Sequence, residues 1–97
     1  MTTQLIVHIT VPVENQPKLF EAMQKAELAR TEQPGFIDTG LYVDENDPTH
    51  LVEVATWESS NHHEDWMAVL QERFAFDEVL ELIEGPPQFT YGRAPGA

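Results

Sequence analysis

Apolar and polar residues alternate along the chain with two different periods, and the period of two marks four strands. Residues 4–12 are rich in β-branched side chains and start with an almost continuous apolar run, which predicts a buried strand ending at Pro12. Residues 36–44 alternate between polar and apolar positions. With residues 50–58 and the turn between them, they predict a hairpin. Residues 88–93 predict a last, short strand.

A period near 3.6 residues marks a first helix. Asn15 is a suitable N-cap, and Pro17 is tolerated in the first turn. Leu19 and Met23 recur at helical spacing on the apolar side. Pro34-Gly35 then stops the helix.

The same period marks a second helical region after residue 59. Ser59, Ser60 and Asn61 are candidate N-caps, and Asn61 and Glu64 have the spacing of a capping box. We expect a break near residues 74–77, where no proline forces one. Gly85-Pro86-Pro87 ends the region.

The resulting order, β-α-β-β-α-β, predicts an α+β fold of the split β-α-β or ferredoxin-like type. Right-handed crossovers place both helices on one face of a four-stranded antiparallel sheet. The first and third strands are apolar on both faces, so a second copy of the chain should cover the other face and give a two-fold homodimer, a dimeric α/β barrel. Alternation places Phe36 and Tyr42 on one face of the second strand and Ile37 and Thr39 on the other. We expect one domain over residues 1–97, with a loose tail at its end, residues 94–97.

Charge and composition restrict the partners. The 97 residues include 17 Asp and Glu, 5 Lys and Arg and no Cys, for a formal net charge of −12. Nucleic acids and anionic membranes attract clustered Lys and Arg, so neither is expected as a partner. The absence of Cys excludes disulfides, thiolate metal ligands and iron–sulfur clusters. No basic segment with a long apolar run opens the sequence, so we expect a cytoplasmic protein.

Motifs that hold cofactors are also missing. The sequence contains no GxGxxG, no Walker loop and no GxSxG elbow. We therefore expect no cofactor, and any redox chemistry would use the electrons of the substrate. We expect no metal site, because adjacent His62 and His63 diverge by about 100° on a helix. A two-histidine, one-carboxylate site built from distant segments stays open.

Aromatic and titratable residues concentrate where the third strand meets the second helix. Period-two alternation puts Glu53 and Trp57 on one face of that strand. A carboxylate among apolar neighbours is costly without a partner, which makes Glu53 a candidate base. On the helix, His62, Trp66 and Arg73 lie along one stripe, and His63 lies on the next. The candidate catalytic residues are Glu53, Trp57, His63 and Arg73, and the candidate substrate-binding residues are Trp66, His62, Tyr42 and His8.

Several of these residues also have a structural interpretation. Trp57 suits a core anchor, Trp66 suits a dimer contact, and Glu53 could simply pair with Arg73. His62 and His63 lie in a first helical turn, where exposure is common. His8 interrupts an apolar strand and either faces the cavity or meets a second copy.

The sequence resembles the antibiotic biosynthesis monooxygenase superfamily over about residues 4–93. The resemblance rests on Pro34-Gly35-Phe36, on the Asn46-Asp47-Pro48 turn, and on Glu53-Val-Ala-Thr-Trp57-Glu-Ser59 followed by a helix. It implies a dimeric α/β barrel of ferredoxin-like subunits. It also implies an enzyme similar to the cofactor-independent oxygenases that convert phenolic or anthrone-type intermediates to quinones.

The chain departs from that family pattern at three positions. The oxygenases carry an Asn four residues before the strand Trp, where this chain has Glu53. The haem-degrading members have a helix Trp, matched by Trp66, but also a His about ten residues later, where this chain has Phe76. Many other members have a His at the place of Trp66.

For the reaction, the resemblance implies that a base deprotonates a phenol or enol and that the anion then reacts with dioxygen. Glu53 or a nearby histidine would be the base, Arg73 the anion partner, and Trp57 and Trp66 the stacking walls. A non-oxidative cyclase or isomerase on the same fold, or a non-catalytic small-molecule-binding dimer, are the alternatives.

Overall fold

The described residues form four strands and three α-helices, which follow one another in the predicted order. The computed structural model describes residues 2–74 and 76–96, without the side chain of Phe76. The second helical region is divided into two helices, so the expected break is confirmed. The elements are β1 (Thr3–Thr10), a 3-10 turn (Val13–Asn15), α1 (Gln16–Arg30), β2 (Phe36–Asp44), β3 (Asp47–Trp57), α2 (Ser60–Arg73), α3 (Phe76–Leu82) and β4 (Glu84–Gly92).

The strands form one antiparallel sheet in the order β2-β3-β1-β4. This is the sheet of the predicted ferredoxin-like α+β fold. The apolar strands β1 and β3 are central, and Leu5 lies opposite Ala55. The face that carries Leu5, Ala55 and Trp57 packs against the helices and is called the helix side. The face that carries Ile6, His8 and the residues paired with them is called the open side.

The core lies on the helix side and consists of two groups of buried side chains. In the first, Trp66 of α2 packs with Leu5, Ala55 and Trp57 of the sheet. The second group places Leu19 of α1 against the other end of the central strands, where it meets Val11 and Leu51. The apolar stripes of the helices therefore bury the residues that the strand period placed on one face.

The start of β2 differs from simple alternation. The pairing register with β3 shifts between Phe36 and Asp38, so that Phe36 lies opposite Trp57. The two rings meet edge to face, with centroids 5.3 Å apart. A shift of one residue moves a side chain to the other face of a strand. The prediction that Phe36 shares a face with Tyr42 is therefore wrong, and Phe36 belongs to the helix side.

The capping residue of α2 is Ser59. Its hydroxyl accepts a hydrogen bond from the backbone N–H of His62 at 3.3 Å, so the expected capping box at Asn61 is wrong. The His62 side chain packs on Gly35, where a Cβ atom would overlap the imidazole ring. Gly35 also has φ = +85°, a conformation that favours glycine. This close approach explains a glycine just before β2.

The last strand begins earlier than predicted. Glu84 starts β4, so Gly85 and the two prolines after it lie within the strand and do not separate it from a helix. β4 is an edge strand of the sheet, and prolines are tolerated at an edge because they need no ladder partner there. The predicted tail, residues 94–97, follows β4, and Ala97 lies outside the described residues.

The open side carries no helix. Ile6, Val52 and Val54 are half-buried there, and Tyr42 is exposed. A second copy of the chain against this face stays a prediction. Within residues 2–74 and 76–96, no helix combines the length and apolar character that a bilayer crossing requires.

Candidate functional site

Glu53 lies in the middle of β3 on the helix side and is held by two partners. Its Oε2 atom accepts hydrogen bonds from Arg30 Nη1 at 3.1 Å and from Thr39 Oγ1 at 3.2 Å. Only 16% of the Glu53 side chain and 12% of the Arg30 side chain are exposed. A carboxylate among apolar neighbours thus has the charged partner that its burial requires.

The arginine beside Glu53 is therefore Arg30 and not Arg73. Arg30 occupies the last turn of α1, and its guanidinium carbon lies 5.1 Å from the centroid of the Phe36 ring. Arg73 ends α2, and its side chain is exposed. The expected pairing of Glu53 with Arg73 is corrected in this way, because α1 and not the end of α2 reaches the centre of the sheet.

Trp57 ends β3 and is fully buried. Its Nε1 atom is a buried donor that finds no acceptor among the described residues, and the Nε atom of Arg30 is in the same situation. A buried N–H group without a partner costs about 1–3 kcal/mol. Most such groups in folded proteins bind a protein group or water, so each of these two atoms needs an acceptor that the described residues do not supply.

His63 lies against Trp57 and makes a polar contact with the last strand. The residue is 5% exposed, and its ring meets Trp57 edge to face, with centroids 5.6 Å apart. The His63 Nδ1 atom is 2.8 Å from the hydroxyl of Tyr91 on β4. Burial lowers the pKa of His63 from its usual 6.5, the negative charge of Glu53 partly opposes this, and Arg30 adds a smaller lowering. The imidazole is therefore neutral near pH 7, and Nδ1 can accept a hydrogen bond from Tyr91.

Trp66 stands next to this group as a buried residue of α2, 4% exposed. It packs with Trp57 in the same apolar cluster, and its ring centroid lies 6.2 Å from that of Phe74. The structure thus brings together Glu53, Trp57, His63 and Trp66 of the predicted site.

The other predicted site residues lie elsewhere. The His62 side chain lies at the start of α2, where its Nδ1 atom is 2.7 Å from Ser59 Oγ. His8 lies on the open side, stacked on His50 with centroids 5.2 Å apart. Tyr42 is also on the open side, with 61% of its surface exposed. In the described part of the chain, none of these three side chains hydrogen-bonds to Glu53 or His63.

Sequence reasoning missed three residues of the cluster, Arg30, Thr39 and Tyr91. Thr39 had a signal, because it is a polar residue on the otherwise apolar face of the second strand. Tyr91 alternates with Phe89 on β4, which places both on one face. Only the pairing of Tyr91 with Leu5 shows that this face is the helix side.

Cavities on the described residues lie away from this cluster. One of about 410 Å³ lies on the open side and is lined by polar residues that include His8, His50 and Gln88. One of about 380 Å³ lies between α1 and the helices α2 and α3, over Ala26 and Leu70. Neither is lined by Glu53 or His63. In the described ranges, no three His, Asp or Glu side chains are arranged to hold a metal ion.

Solved structures share this fold. A conserved protein from Methanosarcina mazei aligns with a TM-score of 0.85 at 15% identity, over 96% of this chain and 92% of that one. Rv0793 from Mycobacterium tuberculosis gives 0.80 at 15% identity, over 100% and 98%. SnoaB, a cofactor-independent oxygenase from Streptomyces nogalater, gives 0.79 at 13% identity, over 99% and 95%. At these identities the likeness concerns the fold alone.

The family comparison is more specific. No curated protein matches the chain. The family model described as antibiotic biosynthesis monooxygenase matches residues 4–70, which is more than half of the chain and includes β1 to β3 and most of α2. The chain therefore belongs to the antibiotic biosynthesis monooxygenase family, and this membership supports a monooxygenase type of function.

Proposed function

We propose that the protein is a cofactor-independent monooxygenase that uses dioxygen on a phenolic, quinol or polyketide-type aromatic molecule. Family membership supports the reaction type. The observation that carries the substrate class is the pair of buried donors without acceptors, Trp57 Nε1 and Arg30 Nε, near a neutral His63. Two N–H donors and a neutral imidazole suit a ligand that gives up a proton and becomes an oxyanion.

In the proposed reaction, His63 is the base that gains a proton as the substrate hydroxyl or enol ionises. The oxyanion then supplies the acceptor that Trp57 and Arg30 lack. Glu53 holds Arg30 in place through its 3.1 Å ion pair, and its charge favours the imidazolium that forms. The base is therefore His63, and Glu53 is a positioning residue. Aromatic side chains around this cluster would pack against the ring of the substrate.

The oxygen step uses electrons of the substrate. The anion transfers one electron to dioxygen, and the resulting radical pair combines at carbon. For an anthrone, the net change is CH₂ + O₂ → C=O + H₂O, in which the ring methylene supplies all four electrons. The protein contributes deprotonation, orientation and exclusion of water.

We also propose that the working form is a cytoplasmic homodimer whose open sides face each other. The half-buried Ile6, Val52 and Val54 on that face support this arrangement, since an antiparallel sheet that is apolar on both faces needs cover on both. Light scattering in solution should give about twice the mass of one chain, 11.0 kDa.

Oxygen uptake tests the proposed function. The protein is incubated with anthrone and with 1,4-naphthohydroquinone, with and without air, and the rate without protein is subtracted. We expect oxygen consumption that depends on protein and falls about 100-fold in His63→Gln, the range that one general base supplies. Lys25→Met, which removes an exposed charge on α1, should match the wild type. Equal conversion without oxygen would contradict the proposal and indicate a cyclase or isomerase.

A further inference from the structure

Tyr91 is the group that connects the buried histidine to the surface. His63 is 5% exposed, whereas 37% of the surface of Tyr91 is accessible. The two residues share a hydrogen bond of 2.8 Å between Tyr91 Oη and His63 Nδ1, and their rings meet edge to face with centroids 5.6 Å apart. A ligand at the surface of β4 can therefore reach the side chain of Tyr91 more easily than the imidazole.

Beside Tyr91 lies a second exposed aromatic ring. Phe89 precedes it by two residues on the same face of β4, has 56% of its surface exposed, and places its centroid 6.2 Å from that of Tyr91. Both aromatic side chains are thus exposed on the helix side of this edge strand. A flat aromatic ligand could stack on Phe89 with its hydroxyl next to Tyr91.

The charged groups around the pair come from three elements. Glu64 of α2 acts on Tyr91, and burial together with this carboxylate raises the Tyr91 pKa above its usual 10. Glu53 of β3 and Arg30 of α1 act on His63 in opposite directions. Tyr91 thus stays protonated near pH 7 and can donate its hydrogen to the neutral imidazole.

From this geometry we propose that Tyr91 is the residue that receives the substrate proton and passes its own proton to His63. The inference rests on the proposed function and names the route by which its base is reached. The substrate O–H bond breaks as its hydrogen moves to Tyr91 Oη. At the same time, the Tyr91 hydrogen moves to His63 Nδ1.

The products of this transfer are a substrate oxyanion, a neutral Tyr91 and an imidazolium at His63. No electron is transferred and no other reactant is needed. The imidazolium forms within the influence of the Glu53 carboxylate, which favours the positive charge. The ligand class that fits this route is an aromatic ring with an acidic hydroxyl.

Ionisation of bound 4-nitrophenol tests the route without oxygen. The probe absorbs near 400 nm only as the phenolate, so its ionised fraction can be followed at a pH where it is mostly protonated in solution. We expect binding to the wild type to increase the ionised fraction and Tyr91→Phe to abolish the increase while equilibrium dialysis still shows binding. Failure of 4-nitrophenol to bind, or an unchanged increase in Tyr91→Phe, would overturn the proposal.

Kinetics with anthrone distinguish proton transfer from Tyr91 to His63 from a purely structural contact between them. We expect Tyr91→Phe and His63→Gln each to lower kcat about 100-fold with little change in KM, and the double variant to be no slower than either, because both act in one step. Lys25→Met, at an exposed position of α1, is the control. Multiplying effects in the double variant would overturn the route. Absence of oxygen uptake by the wild type would instead contradict the proposed function, and the 4-nitrophenol result would still decide the proton route.

Discussion

The two faces of the sheet carry similar polar residues in very different surroundings. On the helix side, the buried His63 bonds to Tyr91 at 2.8 Å. On the open side, His8 and His50 stack and bond to each other at 3.0 Å, and His50 Nδ1 donates to Asp44 Oδ2 at 2.9 Å. The hydrogen bonds are of similar length, but the exposure differs.

Because the exposure differs, the pKa values on the two faces are shifted by different causes. The His63 pKa is lowered chiefly by loss of water around the ring. The Asp44 pKa is lowered chiefly by the hydrogen bond from His50, and burial opposes the shift. Exclusion of water controls the charges on the helix side, and local hydrogen bonds control them on the open side. Proton transfer chemistry is thus better supported on the helix side, where a neutral base is maintained near pH 7.

The largest expected effect comes from breaking the buried ion pair. Among the described residues, Arg30→Met leaves the Glu53 carboxylate with Thr39 as its one remaining hydrogen-bond partner. Removal of one member of a buried pair leaves an uncompensated charge, so we expect the free energy of unfolding to fall by about 3 kcal/mol. Urea denaturation followed by far-UV circular dichroism measures the change.

Lys25→Met is the matched control for that variant. Lys25 pairs with Glu21 on α1 at 3.8 Å, with both side chains more than 70% exposed. Loss of a pair this exposed should cost less than about 0.5 kcal/mol. The double variant Arg30→Met/Glu53→Leu should recover most of the stability, because it removes the buried charge. Similar losses in Arg30→Met and Lys25→Met would show that water reaches the helix side.

A smaller effect should appear in the pH dependence of stability. The pKa of His63 is lower in the folded protein than in the unfolded chain. Between pH 6.5 and the folded pKa, His63 is therefore protonated to a greater extent in the unfolded chain than in the folded protein. The free energy of unfolding should therefore be greatest above pH 6.5 and should decrease as the pH falls towards the lower folded value. His63→Phe should lack this part of the slope.

The measurement is the urea midpoint of both proteins between about pH 7.5 and pH 5. The other three histidines are present in both, so their contributions cancel in the difference. A difference between the two proteins that is independent of pH would contradict the proposed cause, desolvation of His63.

Local patterns predicted the strands and their order along the chain, because the pleat of a strand imposes a period of two on its side chains. The same pattern placed Glu53 and Trp57 on one face, and helical spacing placed His63 and Trp66 close to them. These predictions needed only the geometry of one element at a time.

Contacts between elements could not be predicted in this way. Arg30 and Arg73 each occupy the last turn of a helix, so nothing local distinguishes them as partners for Glu53. Which of them reaches the sheet depends on how the helices pack. Phe36 changed faces through a shift in register, and Tyr91 joined the site through the pairing of β4 with β1. Both are relations between distant segments, which a single sequence does not specify.

The smallest expected effect concerns Asp44 on the open side. Its pKa lies below the usual 3.8, first because His50 donates to Oδ2 and second because the backbone N–H of Asn46 donates to Oδ1. A carboxyl with a depressed folded pKa contributes stability that is present above about pH 4 and is lost as the pH falls through the folded value. Asp44→Asn removes this contribution, so the urea midpoints of the wild type and the variant should converge between about pH 5 and pH 2.5. His50→Phe, which keeps a ring to stack on His8 but cannot donate, should reproduce most of the change. Convergence already between pH 7 and pH 5 would mean that a histidine, and not the Asp44 carboxyl, controls stability on the open side, and the contrast between the two faces would then fail.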